Sequence, residues 1–516
     1  MPPTPEKSPM TMPLREPVAP PAASAAVSAV LPETGQLSHA DIKSIILGLM
    51  LAMLLAALDQ TIVATAMPTI GRQLGDIHNL PWVVTAYLLT STAVTPLYGK
   101  LSDIHGRRVV LLVAIAIFTL SSAISALAPS MLVLIVARGL QGLGGGGLIA
   151  LAQTIIADMM APRERARYQV YIASVFVTSS IAGPLLGGFF AQHLHWSLIF
   201  WINLPLGLAA FMMTNSRLKL LPVHARPHNV DLIGAALLIA ATVLLLLALS
   251  WGGVQYAWAS TQILALVAGS GALWAGFVVR LMTADEPLIP LAVLRNQVMA
   301  TGMLAACFGM GTLIGMSIYM PIYLVGVLHL SPTNSGVALI PLMVGTVIGA
   351  TLSGRVMVHM VHYKRLPLIG LSISVAATLL LAWQPPWLGF SAFEVLLGVI
   401  SLGLGTLLPV TTVSIQNAVS AHDLGTATAT MNFFRSLGGA LIVAIFGAIV
   451  LATMHGSSND LAALSSAMKA ELALTFRYVY GAAGIGLGLA TLFLALMHEL
   501  PLRSKSASAT LAAMEG

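Results

Sequence analysis

Four ionisable side chains fall where the chain is otherwise continuously apolar: Asp59, Arg138, Glu394 and Arg435. A charge in hydrocarbon costs about 3 kcal/mol even on lenient scales, so such residues are candidates for chemistry first. Asp59 lies about 14 residues into an apolar stretch at 45–67, hence about 21 Å along a helix of 1.5 Å rise. In a hydrocarbon core about 30 Å thick, that is roughly 9 Å below the outer boundary. Arg138 lies about 7 residues into an oppositely directed stretch at 131–157, roughly 10 Å below the same boundary. The matching depth predicts an Asp–Arg couple facing a central cavity, able to take up and release a proton. Arginine favours the carboxylate, burial disfavours it, and access to water changes the balance. A permanent ion pair is the competing reading. Gln141, one turn after Arg138, is a further candidate.

Arg435 lies near mid-depth of the stretch 428–452, within Asn432-Phe433-Phe434-Arg435-Ser436-Leu437-Gly438-Gly439. It can bind an anionic group or pair with a carboxylate in one conformation, and Asn432 stands one turn before it. A purely structural arginine is nearly as well supported. Glu394, near the outer end of 392–414, could be a second proton site or attract cations, against the reading of a solvated mouth residue. Between the second and third stretches runs Gly99-Lys100-Leu101-Ser102-Asp103-Ile104-His105-Gly106-Arg107-Arg108. Asp103 is placed to meet a helix N-terminus or a basic partner, and Arg107 to pair with Asp158 at the end of the fourth stretch. Such a cluster, with Arg108 beside it, latches one conformation and opens in another. The glycines of 139–147 let helices approach closely. Pro184, within Gly183-Pro184-Leu185-Leu186-Gly187-Gly188, removes a backbone donor and gives a place to bend.

The elements that hold these groups must be membrane helices. The 516 residues are 57% apolar and 8% charged, against about 25% charged in soluble domains. With a mean hydropathy of +0.91 this excludes a soluble enzyme. Fourteen stretches of about 20 apolar residues fit helical spans, and their unbroken apolarity excludes an alternating β-barrel. With the N-terminus inside, 19 of the 24 Lys and Arg fall on inner segments, three on outer ones, and two (Arg138 and Arg435) within spans. That asymmetry predicts an N-in, C-in topology and accounts for the net charge of +6 without a nucleic-acid partner. The single cysteine, Cys307, excludes an intrachain disulfide and thiolate metal sites. His193 and His195, and His359 and His362, read as solvated loop residues, so no metal and no cofactor is expected. Residues 1–41 hold a Pro/Ala-rich stretch expected to be a disordered tail, and the LPETG at 31–35 is expected to be a chance match to a sortase signal.

Several of these segments are distinctive together. The chain resembles the major facilitator superfamily, in particular its fourteen-spanner drug:proton antiporters. The segment from Gly99 to Arg108 is similar to the superfamily's G-x-L-x-D-x-x-G-R-R loop, with Ile104 departing from the usual Arg. Arg138-Gly139-Leu140-Gln141-Gly142 is similar to its R-G-x-Q-G helix, and Gly183-Pro184 through Gly187-Gly188 to its antiporter G-P-x-x-G-G. Leu58-Asp59-Gln60-Thr61-Ile62-Val63 resembles the subfamily's first span, and Ile202 to Gly207 its sixth. The second half is looser: Gly354-Arg355 begins a repeat of the loop motif, but Val358 replaces its Asp, which predicts an asymmetric latch. The resemblance implies an all-α major facilitator fold of fourteen spans. Its parts are an N-terminal six-helix bundle at 42–220, two inserted helices at 221–296, a C-terminal bundle at 297–499 and a tail at 500–516. It implies proton handling by Asp59 and Arg138, and a bundle interface lined by Gly183 to Gly188. It implies export of amphipathic, often cationic compounds from a bacterial cytoplasm across the inner membrane in exchange for protons. The partners would be protons, small amphipathic substrates and the lipid bilayer. The protein would be a monomer, with or without a periplasmic adaptor. Met303, Met310, Met316 and Met320 would either adapt a cavity to mixed cargo or face lipid. An exporter of one metabolite, siderophore or peptide is the runner-up. An uptake symporter and a non-transporting sensor or scaffold are less favoured.

Overall fold

A computed structural model describes residues 39–76, 79–220, 230–330, 332–360, 362–383, 389–453 and 466–503. Most of the expected N-terminal tail, its LPETG and most of the C-terminal tail lie outside these residues. The regular elements described are all helices. They are α1 His39–Leu74, α2 Trp82–His105, α3 Arg107–Ala126, α4 Met131–Met159, α5 Pro162–His193, α6 Leu198–Trp201, α7 Asn203–Arg217, α8 Leu232–Trp251 and α9 Thr261–Thr283. The second half continues with α10 Leu291–Arg295, α11 Gln297–Gly326, α12 Pro332–Ala338, α13 Ile340–His359, α14 Arg365–Trp383, α15 Phe390–Ala418, α16 Leu424–Thr453 and α17 Ser466–Leu496.

Thirteen helices are long and apolar enough to cross a membrane, α6 with α7 and α12 with α13 each counting as one. The expected span at 82–98 is absent from these thirteen although α2 is 24 residues long. Its threonines and serine (Thr85, Thr90, Ser91, Thr92, Thr95) lower its hydropathy, and three of them return their hydroxyls to backbone carbonyls. This satisfies the groups locally, as a helix in lipid requires. The first helix begins at His39, inside the stretch read from sequence as tail.

Helices α1 to α7 form one bundle, with α1 on α5 and α7, and α4 on α2 and α3. Helices α11 and α13 to α17 form the second, with α13 on α15, α11 on α16 and α17, and α14 on α15 and α17. The hairpin α8–α9 lies against α2 of the first bundle and α16 of the second. The bundles meet through α2 and α4 with α16, and α5 with α13 and α15. Glycine makes the close packing of α4 possible. A Cβ on Gly142 would strike Thr90 and the Tyr87 carbonyl, on Gly144 the backbone of α3, and on Gly146 the Ser91 carbonyl. The four methionines of α11 do not share one environment. Met303, Met316 and Met320 are buried in the second bundle's core, and Met310 is half-buried.

Candidate functional site

Asp59 on α1 and Arg138 on α4 meet in the interior of the first bundle, Arg138 Nη1 lying 2.6 Å from Asp59 Oδ2. Both are enclosed, at 0% and 1% exposure, so in this conformation the carboxylate does not face a water-filled cavity as the sequence reading expected. Two amides complete the shell. Gln141 donates through Nε2 to Asp59 Oδ1 at 3.0 Å and accepts from Arg138 Nη1 through Oε1 at 2.7 Å. Asn203, second of the described residues to donate to Asp59 Oδ1, does so at 3.1 Å and also donates to Ser122 Oγ at 3.0 Å. Arg138 Nε donates to the Val83 carbonyl at 3.0 Å, and its guanidinium lies over the Tyr87 ring, 4.4 Å from the centroid. Three N–H donors converge on two carboxylate oxygens. Both oxygens are thus engaged as acceptors. Asn203, Ser122 and Tyr87 carry no charge and so escaped a reading based on buried charge.

A second cluster ties the bundles together at one end. Asp103, near the end of α2, accepts from the Thr426 amide at 2.8 Å, the Thr426 hydroxyl at 2.7 Å and the Gly425 amide at 3.1 Å. It thereby caps α16 across the bundle boundary, where unpaired N–H groups favour an anion. Arg107 pairs with Asp103 and, through Nε, with Asp158 Oδ2 at 2.8 Å, and donates to Ser102 Oγ at 2.8 Å. Gly99 makes room for the contact, since a Cβ there would strike Ala429 and the Gly425 carbonyl. Gly106 turns the chain between α2 and α3 at φ +85°, a conformation open to glycine at little cost. Arg108 does not join this cluster as expected. It donates to Asn215 at the end of α7, within its own bundle.

Sequence reasoning missed a neighbouring layer. Arg165, counted from sequence as an inner-loop charge, is 2% exposed. It holds the Met160 carbonyl at 2.8 Å and the Ala157 carbonyl at 2.5 Å, and reaches Gln416 of the second bundle at 3.5 Å. Gln153 on α4 accepts from Asn432 Nδ2 at 2.8 Å through its side chain, and from Gln416 at 3.5 Å through its carbonyl. Asn432 is thus a bundle-to-bundle contact. Among the described residues the hydrogen bonds between bundles gather at this latch end. On the α13 side the motif's partial repeat forms no comparable cluster among the described residues. Gly354 packs against the Ala166 carbonyl and Arg355 is exposed.

The remaining candidates are dispersed. Arg435 is 9% exposed and donates through Nη2 to Thr412 Oγ1 at 2.8 Å and Thr411 Oγ1 at 3.2 Å. Glu394 is half-buried near the start of α15, about 26 Å along that helix from Thr411 at 1.5 Å per residue, so the two are not brought together. Of the Gly183–Gly188 segment, Gly183 and Gly187 do not line the boundary between bundles. A Cβ on Gly183 would strike Thr61 and one on Gly187 would strike Thr65 and the Ile62 carbonyl, so these glycines seat α5 on α1. Pro184 is exposed and Gly188 has open space around its Cα.

The sequence profile of the Major Facilitator Superfamily matches residues 49–443, and the chain belongs to that family. It is 34% identical over 416 residues to the multidrug transporter protein MdtP of Bacillus subtilis, covering 81% of this chain and 76% of the relative. It is 33% identical over 428 residues to multidrug resistance protein 3 of the same organism, covering 83% of each. The solved proton:xylose symporter XylE superposes with a TM-score of 0.61 at 15% identity, over 92% of this chain and 99% of that one, a likeness of fold alone. The protein is accordingly a multi-pass membrane transporter, related to drug-efflux members of its family.

Proposed function

We propose that the protein exports amphipathic compounds in exchange for protons, by alternating exposure of the space between its bundles. In this reading α2 is a fourteenth span, both termini lie in the cytoplasm of a bacterial cell, and the latch end is the inner face. The observation that carries the reading is the enclosed Asp59 with its three donors. A proton entering from outside neutralises the carboxylate and releases its hold on Arg138, Gln141 and Asn203. Helices α1, α4 and α7 are then free to shift against one another, and the strain reaches α16 through α4 and α2. Cargo leaves, and the carrier returns as the proton is lost to the cytoplasm. Outward direction is supported by the Gly183–Gly188 motif and by the efflux relatives.

The test is ethidium movement in energised vesicles, native chain against Asp59→Asn, with and without an uncoupler. Gradient-dependent movement that the variant lacks supports coupling at Asp59. Movement that survives the substitution places coupling elsewhere, with Glu394 the next residue to replace. A well-expressed native protein that moves no dye would favour an exporter of one metabolite.

A further inference from the structure

Arg435 is a buried cation that no carboxylate among the described residues neutralises. Helix α16 packs against α2, α4, α8, α11, α15 and α17. Four carboxylates lie on those helices. Asp103 and Asp158 are engaged with Arg107 at the latch end. Glu394 and Glu471 lie at the opposite ends of their helices, near the starts of α15 and α17. Among the described residues Arg435 has no ion pair, and its Nε is enclosed with no acceptor. A guanidinium stays charged at any physiological pH, and buried charges in proteins are ordinarily paired.

Its setting is built. The Thr411 hydroxyl donates to the Leu407 carbonyl at 3.0 Å and the Thr412 hydroxyl to the Leu408 carbonyl at 2.8 Å. Their protons are spent on α15, so both oxygens are turned to accept from Nη2. This fixes the guanidinium and leaves its enclosed Nε, among the described residues, with no acceptor. Along α16 the group lies one turn beyond Asn432, the last residue of the layer that joins the bundles through Gln153. Arg435 therefore lies one turn along α16 from the layer that joins the bundles, held against α15.

We propose that Arg435 binds an anionic group of the cargo: the protein carries amphiphiles bearing a carboxylate, or a comparable compact monoanion, on an apolar body. The assignment rests on the export reading for the word cargo, but the binding it predicts does not depend on proton coupling. Threonine-held Arg435 supplies the charge and the direction of the bond, and the apolar remainder of the compound lies against the surrounding helices. Asp59, already neutralised by Arg138, offers no competing attraction for a cation in this conformation.

The test uses the full chain in nanodiscs, with 1-naphthoate and 1-naphthamide as matched probes and chloride as competitor, binding being read by calorimetry. Naphthoate is expected to bind at least tenfold more tightly than naphthamide. Arg435→Gln should remove that preference, Arg435→Lys should keep part of it, and naphthamide should be unaffected by either. Equal binding of the two probes to the native protein overturns the proposal. So does a naphthoate preference that survives in a monodisperse Arg435→Gln, or saturation by chloride with no naphthoate bound. If Arg435→Gln does not fold, the probe pair on the native chain and Arg435→Lys still decide. Failure of the export reading is seen separately. Native vesicles would then show no gradient-driven movement of ethidium or naphthoate, whatever the calorimetry gives.

Discussion

Arg138 and Arg435 are each buried within one bundle, and the two bundles treat them in opposite ways. Arg138 has a carboxylate, an amide, a carbonyl and an aromatic face, all from its own bundle. Arg435 has two threonine hydroxyls, a distant Leu408 carbonyl and, among the described residues, no counter-charge. The first arrangement is self-sufficient and changes only when something changes the charge of Asp59. The second is incomplete until something from outside supplies a negative group. Under the proposals above, the first bundle holds the proton-sensitive element and the second the cargo-sensitive one.

The comparison predicts opposite signs for one substitution. Arg138→Met leaves an enclosed carboxylate without its cation and should lower stability by about 3–5 kcal/mol. Arg435→Met removes an unpaired charge and should raise stability, by something on the order of 1 kcal/mol, in protein free of anionic ligand. Thermal unfolding read through labelling of Cys307, the single and buried cysteine, would measure both. Destabilisation by both substitutions would break the comparison.

The next largest effect concerns coupling. Asp59→Asn should abolish most gradient-driven efflux and, by stranding Arg138, lower stability as well. Adding Arg138→Gln should restore much of the stability, because the two residues share one interaction and their effects should not add. It should not restore the gradient dependence. Recovery of both would show that the pair is only structural.

A third prediction sets the latch against its partial repeat. Asp103→Ala removes the cap of α16, worth about 1 kcal/mol, and unpairs one side of Arg107. Cysteine placed at Thr428, which is enclosed in the closed layer, should then be labelled several-fold faster. Arg355→Ala on the other side should leave that rate unchanged, since its side chain is exposed and joins no comparable cluster. Equal acceleration by both would mean that the repeat latches after all.

How much of this was legible in the sequence depends on which coordinate mattered. Depth along a helix follows from residue count, so the pairing of Asp59 with Arg138 could be expected from rise alone. Loop residues near one interface could likewise be assigned to one cluster, and Asp103, Arg107 and Asp158 do meet. Position around the helix axis is different. It decided that Arg108 turns to α7, that Gly183 and Gly187 face α1, and that Arg165 reaches across to Gln416. Length and apolarity of the spans say little about that angle when helices are apolar on nearly every side, as α4 and α5 are. Neutral polar groups such as Asn203 and Gln153 were missed for a related reason: an amide in a span is a weak signal until its partner is seen.

The smallest expected effect tests whether the closed end is one unit or two. Gln153→Ala deletes the acceptor of Asn432 but leaves the Gln153 carbonyl to Gln416, and Asn432 can still donate to the Thr428 carbonyl at 2.9 Å. Gln153→Ala loses one hydrogen bond, about 0.5–1.5 kcal/mol, whereas Asp103→Ala loses three and an ion pair, so labelling at residue 428 should rise less than with Asp103→Ala. The two sites are separated by about 9 Å along α16, from Thr426 to Asn432. If cap and layer are independent, the double variant should open by the sum of the two free energies, within a few tenths of a kcal/mol. A double variant no more open than Asp103→Ala alone would mean that the cap governs the layer. Cargo at Arg435, one turn further on, would then sense the latch through a single rigid α16.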